Sequence, residues 1–210
     1  MKIFHLPDNL EQIRQVYDTL GYVIVDDFLP SPAAQSLHQT YEKSEWKLID
    51  QKRPDHYKHV FETANDRLPR GDEPYLARFD RSGPMEQSED FQALFRSHFI
   101  LNLKEISRKE LTQFDSRCYR LNPGHFYRAH IDDYAGEVGI VYYLNERWCW
   151  DWGGLLTIIA GEDPDVCDVI FPKFNRLVVL NHRRFRFPHF ISPVTEYAKV
   201  PRYTIVSFCK

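Results

Sequence analysis

YRAHIDDYAGEVGIVYYLN, residues 127–145, is the stretch on which the fold turns. Its two ends carry β-branched and aromatic residues, and between them lie Asp133, Gly136 and Glu137, which suit a turn. The spacing predicts one strand over 125–131 and another over 137–144. In an extended chain, positions i and i+2 face the same side, so His130 and Asp132 point together from the end of the first strand. One strand end can thus offer a neutral nitrogen and a carboxylate oxygen to a single ion. The triplet alone proves little: with nine His and many Asp in 210 residues, chance supplies on the order of one His-x-Asp.

Outward from this stretch, residues 112–210 continue as short apolar runs separated by Gly, Pro, Asn and Asp. Further strands are expected over 113–121, 154–160, 166–171, 176–181, 189–195 and 202–208. Eight short strands at this spacing suggest a jelly roll. Gly153-Gly154 precedes a strand and not a helix, so it is a turn and not a phosphate cradle. Residues 1–111 read differently. Asp8 or Asn9 can cap a helix carrying Leu10, Ile13, Val16, Tyr17 and Leu20, which Gly21 ends. Tyr22 to Val25 suits a strand. Ser31-Pro32 starts a second helix, to about Trp46, and Ser88 caps a third, to about Lys109. Between them, 47–87 is charged and weakly periodic, so loops and short strands are expected, with Arg67, Arg70, Arg78 and Arg81 in a segment that suits either a lid or a solvated surface. The fold class is mainly β with N-terminal helices (α+β). A single domain over 1–210 is expected, with 1–111 as helical support and possible lid and 112–210 as jelly-roll core.

A third donor is needed to complete a site. His189 opens a later strand after Pro188, and distant strands pair in a jelly roll. His125, in a Pro-Gly turn, and His182, beside Arg183 and Arg184, are the rivals, and both suit structural or surface roles better. Two imidazoles and a carboxylate can hold one face of Fe(II) and leave the other face open. An α-keto acid chelating such a metal would need a cation for its far carboxylate. Arg202 begins the last strand, thirteen residues after His189, and faces the same way as Thr204.

Taken in order, Cys118-Tyr119-Arg120, Pro123-Gly124, His130-Ile131-Asp132, Val141-Tyr142-Tyr143-Leu144-Asn145, Trp148, Gly153-Gly154-Leu155-Leu156, Asn175-Arg176-Leu177, Pro188-His189 and Arg202-Tyr203-Thr204 resemble the iron(II)- and 2-oxoglutarate-dependent oxygenases, in their prolyl-hydroxylase-like branch. The resemblance covers about 112–210. It implies a double-stranded β-helix, a distorted jelly roll, packed on helices. His130, Asp132 and His189 then look like the metal ligands, and Arg202 like the partner of the 2-oxoglutarate C5 carboxylate. Tyr143 looks like a second donor to that carboxylate. Tyr119 lies near co-substrate or substrate, with core packing as the alternative for both tyrosines. Val141 and Leu156 would line the pocket. The interval before Arg202 is longer than in the tightest relatives, so a bulge or loop must precede the last strand. The implied cofactors are Fe(II), 2-oxoglutarate as co-substrate and O2.

The implied reaction hydroxylates an unactivated C–H of a small molecule, an amino acid or a peptidyl (prolyl-type) substrate, releasing succinate and CO2. Asp132 fills the position that halogenating relatives leave to a halide, which favours hydroxylation. A non-catalytic jelly-roll binding module stays open, although it would be expected to lose a ligand or the arginine. An oxygenase of the nucleic-acid demethylase type is a further alternative, and the basic-aromatic run 182–187 could serve it; the net charge of −3 argues against nucleic acid. A cupin would want a His-x-His pair. Trp148 to Trp152 either caps the mouth, with Trp150, Arg67 and Arg78 lining a substrate pocket, or packs a hairpin. Cys118, Cys149, Cys167 and Cys209 are too scattered for a disulfide framework or a zinc site. With no signal peptide and no membrane-length apolar run, a cytoplasmic, membrane-free protein is expected.

Overall fold

The computed structural model describes residues 3–6, 9–51, 77–132, 136–159, 166–182 and 188–210. The strands in chain order are β1 (Ile3–His5), β2 (Tyr22–Asp26), β3 (Lys47–Gln51), β4 (Ala77–Arg81), β5 (Phe114–Leu121), β6 (Phe126–His130), β7 (Val138–Tyr143), β8 (Leu156–Ile158), β9 (Asp168–Ile170), β10 (Arg176–Asn181), β11 (His189–Ile191) and β12 (Arg202–Cys209). They run in the spatial order β1-β2-β10-β7-β12-β5-β4-β6-β11-β8-β9, with β3 on β4. Strand β4 pairs both β5 and β6, so it joins a large half to a small half. The eight strands expected after residue 112 are all present as β5 to β12, and the mainly β jelly-roll expectation holds.

The helices cover the outer face of the large half. They are α1 (Leu10–Leu20), α2 (Ser31–Lys43), α3 (Gly83–Gln87), α4 (Glu89–Leu94) and α5 (Leu101–Ser107). Period-two alternation sends one set of strand residues into this layer: Tyr142, Leu177, Val179, Tyr203 and Ile205 pack with Ile13, Tyr17, Leu37, Phe95, Phe99 and Ile106. Their neighbours Tyr143, Val178 and Val141 face the other way. Tyr41 of α2 donates from its hydroxyl to the Thr204 carbonyl (3.1 Å), tying the helical layer to β12.

Several boundaries differ from the sequence expectation. Gly21 does end α1, with φ of 82° and its N–H on the Tyr17 carbonyl, but the Asn9 side chain makes no cap bond. Helix α2 stops at Lys43 and not near Trp46, and Trp46 stacks on Tyr203. The third helix is interrupted: between α4 and α5 lies a π-helical turn, Phe95–Ile100. The wider turn lets Phe95 and Phe99 stack with ring centroids 4.7 Å apart, both fully buried. Ser88 caps it as expected, its hydroxyl accepting the Phe91 N–H.

Two buried devices hold the β-layer in place. Asp26 accepts from Arg176 (2.7 and 3.1 Å) and from Lys173 (2.6 Å). Asn175, at a left-handed φ of 58°, accepts from Leu29 N–H and the Tyr142 hydroxyl and donates to the Leu29 carbonyl. Asn tolerates this conformation where most side chains do not.

Candidate metal and co-substrate site

The large and small halves enclose a cavity of about 290 Å³. On the small half, the β6–β11 ladder places His189 directly opposite His130. Their ring centroids lie 4.3 Å apart. Asp132, just past β6, turns back to them: Oδ1 is 3.6 Å from His130 Nε2 and Oδ2 is 3.4 Å from His189 Nε2. One donor atom from each of the three falls within 4.8 Å of the others, a set able to hold a metal ion. His130 Nδ1 lies 2.7 Å from the Arg128 carbonyl oxygen. A carbonyl only accepts, so the proton sits on Nδ1 and the Nε2 lone pair is left for a metal. Burial raises the Asp132 pKa, but His189, His130 and His182 outweigh it and hold the carboxyl well below the usual range. An ionised carboxylate and two imidazoles on one side suit Fe(II) with open positions.

At the inner end, the strand β12 contributes Arg202, 2% exposed. Its Nη1 donates to Thr204 Oγ1 at 2.6 Å, and its guanidinium lies over the Tyr143 ring, 4.9 Å from the centroid. Arg202 Nε and Nη2 and the Tyr143 hydroxyl are buried and have no hydrogen-bond partner among the described residues. Burial lowers the Arg202 pKa, and Tyr143 offsets this only in part. Three orphaned polar atoms around one buried cation leave the complement of a carboxylate. The residues therefore fit both a metal and a dicarboxylate co-substrate.

The other sequence candidates divide. Tyr119, Val141, Leu156 and Thr204 line the cavity, and Tyr143 is buried beneath Arg202. Trp150 does not reach it: it is 84% exposed and leans on Phe171. Arg78 does not line it either, because β4 turns its side chain to Asp50, which accepts at 2.7 and 3.1 Å. Arg67 lies outside the described residues. His125 stays away from the cavity, as expected, but His182 does not. A surface position for His182 is corrected: the side chain is only 9% exposed and lines the cavity, with Nε2 3.8 Å from Asp132 Oδ2, while the donor set does not include it. Gly139 makes the room, since a Cβ there would fall 2.2 Å from the His182 ring. Sequence reasoning also missed Arg117, Asp115, Val206 and Phe208, all lining residues. The signal was available: they continue the alternation from Tyr119 along β5 and from Thr204 along β12.

Residues 115–210 match the family described as the 2OG-Fe(II) oxygenase superfamily. The matched segment, just under half of the chain, resembles that superfamily, whose members use Fe(II), 2-oxoglutarate and O2. The chain is 30% identical over 204 residues to Egl nine homolog 1 of Rattus norvegicus, covering 90% of this chain and 56% of that protein. The chain spans about half the length of the curated relatives it matches. Among solved structures, a Pseudomonas putida prolyl-4-hydroxylase superposes with a TM-score of 0.66 at 21% identity, over 96% of this chain and 98% of that one. A prolyl hydroxylase from Trichoplax adhaerens, in complex with a hypoxia inducible factor oxygen degradation domain peptide fragment, gives 0.64 at 19%, over 95% and 87%. These two likenesses establish the shared fold. Among the described residues, no helix is long and apolar enough to cross a membrane.

Proposed function

We propose that this chain is an Fe(II)- and 2-oxoglutarate-dependent dioxygenase that hydroxylates an unactivated C–H bond of a peptidyl, prolyl-type substrate. The carrying observation is the coexistence in one cavity of the His130–Asp132–His189 donor set and a buried Arg202 with unfilled donors. A binding module that had shed its chemistry would not need to keep both. The peptide reading draws on the prolyl-hydroxylase relatives and on the peptide named with the Trichoplax structure.

His130, Asp132 and His189 would hold the iron, and Arg202, Thr204 and Tyr143 the far carboxylate of 2-oxoglutarate. Bound there, the pair would supply the oxidising chemistry, turning O2 and 2-oxoglutarate into succinate, CO2 and a hydroxyl on the substrate carbon. The protein contributes position and exclusion of water. Arg202 fixes the co-substrate end to end, since a guanidinium and a hydroxyl read a carboxylate as a fork. Val141, Leu156, Leu180, Ile191 and Val206 give the walls an apolar lining. The Arg128 carbonyl keeps His130 in the ligating tautomer. The helical half 1–111 and the strand-rich half 112–210 would act as one oxygenase unit.

The test is to supply Fe(II), 2-oxoglutarate and O2 with prolyl peptides and follow succinate together with a gain of one oxygen in the peptide mass. No succinate and no mass gain across peptide and metabolite pools would sink the reading.

A further inference from the structure

The cavity holds a second arginine that the co-substrate does not use. Facing inward along β5 come Leu121, Tyr119, Arg117 and Asp115. In the ladder with β12, Leu121 stands opposite Arg202, Arg117 opposite Val206, and Asp115 opposite Phe208. Arg117 is thus four residues along the sheet from the Arg202 rung, about 13 Å at the rise of a strand. The carboxyl carbons of a five-carbon diacid are only roughly 5 Å apart by their bond lengths. A chain of contacts places Arg117 on the outer side of the triad. Asp132 neighbours His182, the His182 ring lies 5.9 Å from that of Phe208, and Arg117 Cζ sits 5.2 Å over Phe208.

Arg117 is built to present its fork. One face rests on Phe208 and Nη2 donates to Asp115 Oδ2 at 2.7 Å. Tyr119 stands beside the guanidinium as a second partner, and the side chain is one-third exposed to the cavity mouth. Lys210 lines the same cavity and adds a second basic residue to it. A guanidinium carries five N–H donors, more than Asp115 and Tyr119 take up, and its fork suits a carboxylate or phosphate. Asp115, already on the guanidinium, penalises a dianion more than a monoanion, which selects the carboxylate.

We infer that Arg117, oriented by Phe208 and Asp115, is the substrate-recognition cation of this cavity, and that the substrate carries a carboxylate near the carbon it presents. The inference rests on the hydroxylase reading and names its substrate class. A free amino acid and an acidic peptide both offer that group.

The experiment uses the full chain loaded with Mn(II) and 2-oxoglutarate, titrated calorimetrically with two pairs of probes. One pair is L-proline and L-prolinamide; the other is capped Asp-Pro-Gly and capped Asn-Pro-Gly. In one pair the carboxylate probe is expected to bind about tenfold tighter or more than its amide, the return of a charge-assisted hydrogen bond. The pair that discriminates identifies the source of the carboxylate. Arg117→Ala abolishes the ratio, whereas Asp115→Asn, which frees the fork, increases it; loss of folding would not produce opposite signs. Equal or undetectable binding within both pairs overturns the inference, as does a ratio that survives Arg117→Ala. An Arg117→Ala loss of 2-oxoglutarate affinity as large as that of Arg202→Ala overturns it too, by making Arg117 a co-substrate group. If the wild-type protein binds no 2-oxoglutarate, the hydroxylase reading falls and takes this inference with it.

Discussion

Replacing Arg202 by Met separates what the arginine costs the fold from what it provides to a ligand. The side chain is 2% exposed, with Nε, Nη2 and the facing Tyr143 hydroxyl unsatisfied. Each buried unsatisfied polar group costs about 1–3 kcal/mol, and a buried charge without a counter-ion more. Met occupies a similar volume and stays apolar, at the loss of one hydrogen bond to Thr204 and the contact with the Tyr143 ring. The ligand-free variant is therefore expected to be as stable as wild type or more so, by up to about 3 kcal/mol. Affinity for 2-oxoglutarate moves the other way. Losing the buried partner of a carboxylate costs about 2–5 kcal/mol, roughly 30-fold to a few thousandfold in Kd. Urea unfolding of the metal-free protein and calorimetric titration of the Mn(II)-loaded protein give the two numbers. Clear destabilisation of the free variant together with unchanged 2-oxoglutarate affinity would refute the argument that Arg202 waits for a carboxylate.

Other expectations follow from the same geometry. His130→Ala and Asp132→Ala should each abolish stoichiometric Mn(II) binding, read by metal analysis after gel filtration, while circular dichroism stays that of the wild type. His182→Ala should keep one Mn(II) per chain, because His182 lies outside the set of donors within 4.8 Å; a metal-free variant would make it a ligand. Asp26→Ala leaves Arg176 buried without its partner and should cost about 3–5 kcal/mol by urea unfolding at pH 7. Burial raises the Asp26 pKa, but Arg176 and Lys173 lower it further, so its folded value lies below the unfolded one near 3.9. Its contribution is then complete above about pH 4 and disappears as pH falls through the depressed value, so the wild-type advantage over Asp26→Ala should shrink at pH 3. Asn175→Ala removes three buried side-chain hydrogen bonds at a left-handed residue and should cost about 3 kcal/mol or more.

Most of the strand-rich half was legible because strand chemistry is local. Alternation and turn residues marked all eight strands from β5 to β12, and the i, i+2 rule put His130 beside Asp132 and Arg202 beside Thr204. The helical half was less legible where packing overrides propensity. The run after Ser88 contains no Gly or Pro to mark a break, and the stacking of Phe95 on Phe99 accompanies its π-helical turn. Trp150 carried an aromatic signal that suits a pocket, yet its side of the loop faces solvent.

His182 marks the boundary most clearly. Its neighbours Arg183 and Arg184 argue against a cation ligand and so toward a structural or surface role, because local charge is all a sequence displays. Gly139, distant in the chain, clears the space for its ring, and the pairing of β10 with β7 brings the two together. Arg117 was hidden for a related reason: only the β5–β12 ladder makes it face the same cavity as Arg202. By itself the sequence determined which residues each strand offers and to which side, since that depends on backbone periodicity alone. The tertiary structure decided which sides meet, because the pairing of distant strands sets the register that turns separate donors into one site.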